Sequence, residues 1–100
     1  MIPSMLSEYE SLCREFDELR NRAMQGNLST RMEFEKTLHA LLDKKENCAH
    51  CIQQLQNNLD PTVEDQYRTL AHEALTHFKD TLHHAKMATE NARVIPPFRY

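Results

Sequence analysis

The chain has no tryptophan, one glycine and four prolines in 100 residues. With a single glycine it cannot build the glycine-rich loop that cradles a nucleotide phosphate. Basic charge is also thin. Lysine and arginine are scattered, never more than two together, and the formal net charge is −3. That leaves no electrostatic footprint for nucleic acid and no polybasic patch for an anionic membrane surface. No stretch approaches the roughly 18 apolar residues that a bilayer span needs. The opening MIPSMLSEYE lacks the basic start and apolar run of a signal peptide. Three cysteines, Cys13, Cys48 and Cys51, cannot all pair within one chain. Together with the missing export signal they read as reduced thiols, and the expected location is cytoplasmic.

What the sequence does have is enough apolar material for one helical domain. The apolar fraction is 40% and the charged fraction 27%, a balance that suits a folded chain rather than a disordered one. Breakers fall in four places: Pro3-Ser4, Gly26-Asn27, Asp60-Pro61 and Pro96-Pro97. Between them the apolar residues recur at alternating steps of three and four, the period of one helix face. The first stripe runs Ile2, Met5, Tyr9, Leu12, Phe16, Leu19, Ala23, widened by Leu6 and Cys13. The second runs Phe34, Leu38, Leu41, Cys48, Ile52, Leu55, Leu59, with Leu42 and Ala49 beside it and Lys45 intruding. The third carries Tyr67, Ala71, Leu75, Phe78, Leu82, Ala85 and Ala92, widened by Leu70 and Ala74.

The ends follow from capping chemistry. Ser4 or Ser7 is placed to cap the first helix, and Ser7 with Glu10 has capping-box spacing. Thr30 with Glu33 repeats that spacing at the second. Gly26 or Asn27 is expected to close the first helix in a left-handed conformation. Asp60 is expected to stop the second and cap the third, with Pro61 at the first helical position. The expectation is all-α: an antiparallel three-helix bundle with a long hairpin, helices at about 4–25, 29–59 and 62–93. Residues 1–93 form the domain, and 94–100 a proline-containing apolar tail. The first helix is shorter than the hairpin by roughly 10 Å at 1.5 Å per residue. A second chain or a client could cover that difference.

The stretch ENCAHC, residues 46–51, looks most like chemistry. Cys48 and Cys51 lie about 60° apart on a helix, but His50 lies about 160° from Cys48, on the far side. The best metal set is Cys48, Cys51 and His72, one ligand short of a closed zinc site. A thiol or zinc sensor on those residues is therefore the weakest of three functional readings. A reactive thiol pair usually begins at a helix N-terminus, whereas Cys48 sits mid-helix. Cys48 is expected to act as a small core residue, with Cys51 and Cys13 flanking their stripes. The six histidines, His39, His50, His72, His77, His83 and His84, are expected to be solvated or half-buried spacers. His77 and His84 share one side of the third helix. No arrangement of Ser, His and Asp suggests a triad, and Glu8/Glu10 and Glu33/Glu35 point in different directions on a helix. Neither an enzyme nor a cofactor is expected, and no small-molecule substrate.

The segments YESLCREFDELRNRAMQGN and RMEFEKTLHALLDKKE resemble the opening of small flagellar and type III export chaperones, the filament-cap chaperone type in particular. The resemblance spans most of the chain through layout and apolar spacing. It implies an all-helical cytosolic protein that holds an export substrate. It transfers no functional residue and leaves the cysteines and histidines without a role.

The functional expectation is a non-enzymatic chaperone or adaptor that holds an amphipathic helix of a client in a groove between its helices. Leu38, Leu42, Leu75, Phe78 and Leu82 are the expected core or groove. Val94, Ile95, Phe98 and Tyr100 are expected to fold back and cap the bundle, the alternative being that the tail is offered to a partner, with Phe98 and Tyr100 as a gate. The alternative is a self-assembling structural module, most simply a homodimer.

Overall fold

A computed structural model describes residues 2–94, with side chains described for 3–90. It contains three helices, α1 (Ile2–Gln25), α2 (Leu28–Asn57) and α3 (Glu64–Val94), and no strand among the described residues. The helices pack on one another as expected. The most extensive interface joins α2 to α3 as a hairpin, and α1 lies against both.

The core is the union of the three stripes. Met5, Leu12, Phe16, Leu19 and Ala23 come from α1, and Phe34, Leu41, Cys48, Cys51, Ile52 and Leu55 from α2. From α3 come Ala71, Ala74, Leu75, Phe78, Leu82 and Ala85. Aromatic pairs fix α1 on the hairpin. Tyr9 meets Phe78 of α3 at a ring separation of 6.2 Å, and Phe16 meets Phe34 of α2 at 6.4 Å, both in the tilted range such pairs favour. Lys45, the charge that interrupts the second stripe, places its ammonium 5.6 Å from the Phe16 ring centroid. A half-buried lysine can lay its methylene stem along the core and put its charge over a ring face.

The helix ends differ from the capping expectations in instructive ways. Ser7 lies inside α1, so Ser7 and Glu10 form no capping box. The N-cap of α2 is Asn27, whose Oδ1 accepts the backbone N–H of Thr30 at 2.8 Å. Asparagine at this place caps better than threonine, and it moves Thr30 into the first turn, where it is buried. Neither residue of the break is left-handed. Asn27 is extended (φ −72°, ψ 175°), and the Gly26 φ lies outside the left-handed range. Gly26 is required for a different reason: a Cβ there would stand 3.1 Å from the Cβ and Cγ2 of Thr30. The glycine lets α1 hand over to α2 at close quarters.

At the other connection α2 stops at Asn57 and α3 starts at Glu64, shorter at each end than the 59 and 62 of the sequence expectation. The Asp60 carboxylate accepts the Thr62 backbone N–H at 2.9 Å and its hydroxyl at 2.7 Å, an Asx turn. The Asn58 side chain donates to the Asp60 carbonyl at 2.8 Å. These local bonds hold Pro61 in a turn instead of at the first helical position. Leu59 thereby leaves the helix and is 95% exposed. Leu70, expected to widen the third stripe, is exposed as well. Glu64 and Asp65 then occupy the first turn of α3, where acids favour the helix dipole, and both pair with Arg68.

At 24 residues, α1 is shorter than α2 at 30. The hairpin nevertheless closes its own end: Ile52 and Leu55 are only 2% and 4% exposed. No described core residue waits for a second chain there.

Candidate functional site

Two of the residues expected to bind a partner are half-buried, and they lie together. Leu38 and Leu42, one turn apart on α2, line a cleft of about 320 Å³ between α1 and α2. Phe34 forms its inner end, Met24 of α1 its far wall, and Arg20, Glu35 and His39 its polar rim. Of these, Phe34 is fully buried and Met24 is 51% exposed. The apolar surface continues beyond the cleft. Leu28 and Met32 share the helix face of Glu35 and His39, by the i, i+4, i+3 rule, and are 68% and 52% exposed. Methionine at such a rim suits a surface that must adapt to a partner, because its side chain repacks easily. In the sequence Met24 and Met32 flank the first turn with Leu28 between them, a methionine-bearing corner expected as a minor core under the loop or else a binding surface. Met24 lines the cleft because α1 packs against α2 there, while Leu28 and Met32 lie beyond its lining.

The other expected binding residues fall elsewhere. Leu75, Phe78 and Leu82 are buried in the core, with Leu82 also lining a small hollow of about 210 Å³ beside Leu12 and Glu15 of α1. Phe98 and Tyr100 lie outside the described residues, as does the question of how the tail packs.

A second, more polar hollow of about 540 Å³ lies at the hairpin tip, between His50, Gln53, Asn57, Leu59 and Tyr67. Its lining mixes amide side chains with Leu59 and Tyr67.

The cysteines are arranged as core. Cys48 is buried completely and Cys51 nearly so, while Cys13 is half-buried, and all three are free thiols. Burial pushes the Cys48 thiol up to about 12, with the neighbouring Cys51, Cys13 and Glu8 adding to the rise. Burial raises Cys51 as well. The Tyr9 phenol is raised by burial first and then by its contact with the Cys13 thiol. A thiol held protonated in this way is a poor nucleophile and a poor metal ligand, since both roles need the thiolate. Cys48, Cys51 and His72 are not drawn into a ligand set. Among the described residues no group of three or more His, Cys, Asp or Glu could hold a metal ion. All six histidines are exposed, and the His83 and His84 rings stand 6.3 Å apart. At the hairpin tip the Asp60 carboxyl is held below its usual range by the hydroxyl and backbone N–H of Thr62.

Among the described residues no helix is long and apolar enough to cross a membrane. No family model, curated protein or solved structure matches the chain.

Proposed function

We propose that this chain is a non-enzymatic protein-binding module, a chaperone or adaptor of the cytoplasm that holds an amphipathic helix of a client. The carrying observation is the α1–α2 cleft, with apolar Leu38, Leu42 and Met24 inside a rim of both charges, Arg20 and Glu35. An incoming helix with anchors at i, i+3 or i+4 would place one or two side chains between Leu38 and Met24. Each fully buried aliphatic anchor contributes about 1.5–3 kcal/mol, so two of them support a reversible complex. The similarity in layout to export chaperones makes a secretion substrate the favoured client class.

The competing reading is a homodimer, argued from the shortness of α1. The burial of Ile52 and Leu55 within one chain gives that argument no support, although Leu59 and Leu70 nearby are exposed.

The test compares the wild type with Leu38→Glu/Leu42→Glu, checked for intact helicity by circular dichroism. Proteins retained by the wild type and lost by the variant are purified and titrated back by calorimetry. Saturable binding weakened by more than about tenfold in the variant, a loss of over 1.4 kcal/mol, supports the proposal. Equal binding by both proteins refutes it. So does light scattering that finds a stable dimer whose interface buries Leu38.

A further inference from the structure

We infer that the occupant of the α1–α2 cleft is a helix with divided charge: acidic residues along one edge of its apolar stripe, facing Arg20, and basic residues along the other, facing Glu35. The inference rests on the reading of that cleft as the docking site and adds the chemistry of the helix it accepts.

The first observation is where the charges stand. Arg20 comes from α1 and Glu35 from α2, and both line the cleft together with Met24, Leu38 and Leu42. Both are exposed. Opposite charges on facing walls would pair if they met. Among the described residues, Arg20 and Glu35 form no ion pair with each other or with any third group. Glu33 and Lys36, on the same helix as Glu35, do pair, at 3.0 Å. The cleft therefore presents one unanswered charge on each wall, with apolar side chains between them. Arg31 and Asp17, one turn before Glu35 and Arg20, are not part of its lining.

The second observation is direction. Leu38 and Leu42, one turn apart, set a line along α2 on which a helix can lay its apolar stripe. One edge of that helix then faces α1 and the other α2. Turning the helix end for end keeps the stripe on the floor but exchanges the edges. A helix with acids on one edge and bases on the other thus satisfies both Arg20 and Glu35 in one direction only. A helix with like charges on both edges meets repulsion at one wall in either direction, and such juxtaposition is how an interface rejects wrong partners. The apolar floor supplies affinity, while the two rim charges select the client and orient it.

The test uses the full chain and two synthetic helical peptides of identical composition, with leucine anchors at i, i+4 and i+7. One carries glutamates on one edge and lysines on the other. The second alternates the two along both edges. The divided peptide should bind several-fold more tightly, and its advantage should shrink as salt is added. Arg20→Glu alone and Glu35→Lys alone should each weaken it by about two- to fivefold, the range for exposed pairs. Arg20→Glu/Glu35→Lys should restore binding, because the rim is again divided and the peptide turns round. A spin label on the peptide N-terminus should then broaden the Met32 methyl resonance in only one of the wild type and the double variant. That recovery also shows that the single variants remain folded.

Equal binding of the two peptides, or binding of neither, overturns the inference. So do additive losses in the double variant. Failure here and failure of the client reading are distinguishable. If the peptides bind equally while Leu38→Glu/Leu42→Glu loses its partner, only the charge inference falls. If the rim variants behave as expected while Leu38→Glu/Leu42→Glu keeps its partner, only the reading of the leucine floor falls.

Discussion

At the scale of single residues, burial separates packing from display. Phe78 and Leu38 are both apolar and both sit on helical stripes, yet Phe78 is fully buried and Leu38 half-buried on the cleft wall. Phe78→Ala should cost about 3–5 kcal/mol, the range for truncating a buried aromatic. Leu38→Ala should fall well below the 2–5 kcal/mol of a core leucine. Urea denaturation of the two variants checks this, and equal losses would mean that Leu38 is core and the cleft is closed. Spacing marked both residues as apolar but could not rank them, because the period of a stripe gives its direction and not its width. Met24, Leu28 and Met32 are legible in the sequence as a methionine-bearing corner, but not whether it is a minor core or a surface, and all three are exposed.

The thiols make a pH prediction with a definite sign. Cys48 rises from 9.0 to about 12 on folding, so the folded state keeps a proton that the unfolded chain releases. The stability this contributes is fully present below pH 9. It is lost as the pH climbs through the interval to about 12. Burial raises Cys51 in the same direction. Urea midpoints should therefore fall as the pH rises above 9, and the slope should be shallower in Cys48→Ala. A flat profile would place Cys48 in contact with water. With an aromatic disulfide reagent on the native protein, the half-buried Cys13 should react first, and Cys48 only after unfolding.

At the scale of elements, the corner between α1 and α2 is the most constrained feature. Gly26→Ala would press a methyl to 3.1 Å from the fully buried Thr30, which must give by a few tenths of an ångström. A cost of about 1–3 kcal/mol is expected, the usual range for overpacking. In Gly26→Ala/Thr30→Ala the combined cost should be less than the sum of the single costs. Strict additivity in thermal unfolding would mean that the two residues do not meet. The helices and their order were legible in the sequence because three long stripes stand between clear breakers. The caps were less so. Asn27, Thr30 and Ser29 are all chemically able to cap, and the choice fell to Asn27 through a contact that only the folded corner defines. At Asp60 the Asx turn consumed residues that proline placement alone assigns to a helix.

The hairpin should also outlast α1. Since α2 and α3 share the largest interface, mid-helix amides of both should exchange hydrogen more slowly than those of α1. Protection of α1 equal to that of the hairpin would show instead that the three helices open as one unit.

At the scale of the whole molecule, the described residues of three helices close one core, and Leu38, Leu42 and Met24 line a seam between α1 and α2. The shorter first helix over a long hairpin, expected from the apolar stripes and breakers, is what the packing shows. What the chain offers outward is the α1–α2 seam, where apolar walls meet a rim of both charges. The central claim is that this seam meets another protein. The most direct measurement is site-specific photocrosslinking in cells that make the protein, with benzoylphenylalanine at Leu38 and, as a control, at Leu59 on the hairpin tip. A discrete crosslink to a different protein from Leu38, absent from Leu59, is the result expected. Crosslinks only to a second copy of the chain, or equal capture from both positions, would contradict the account.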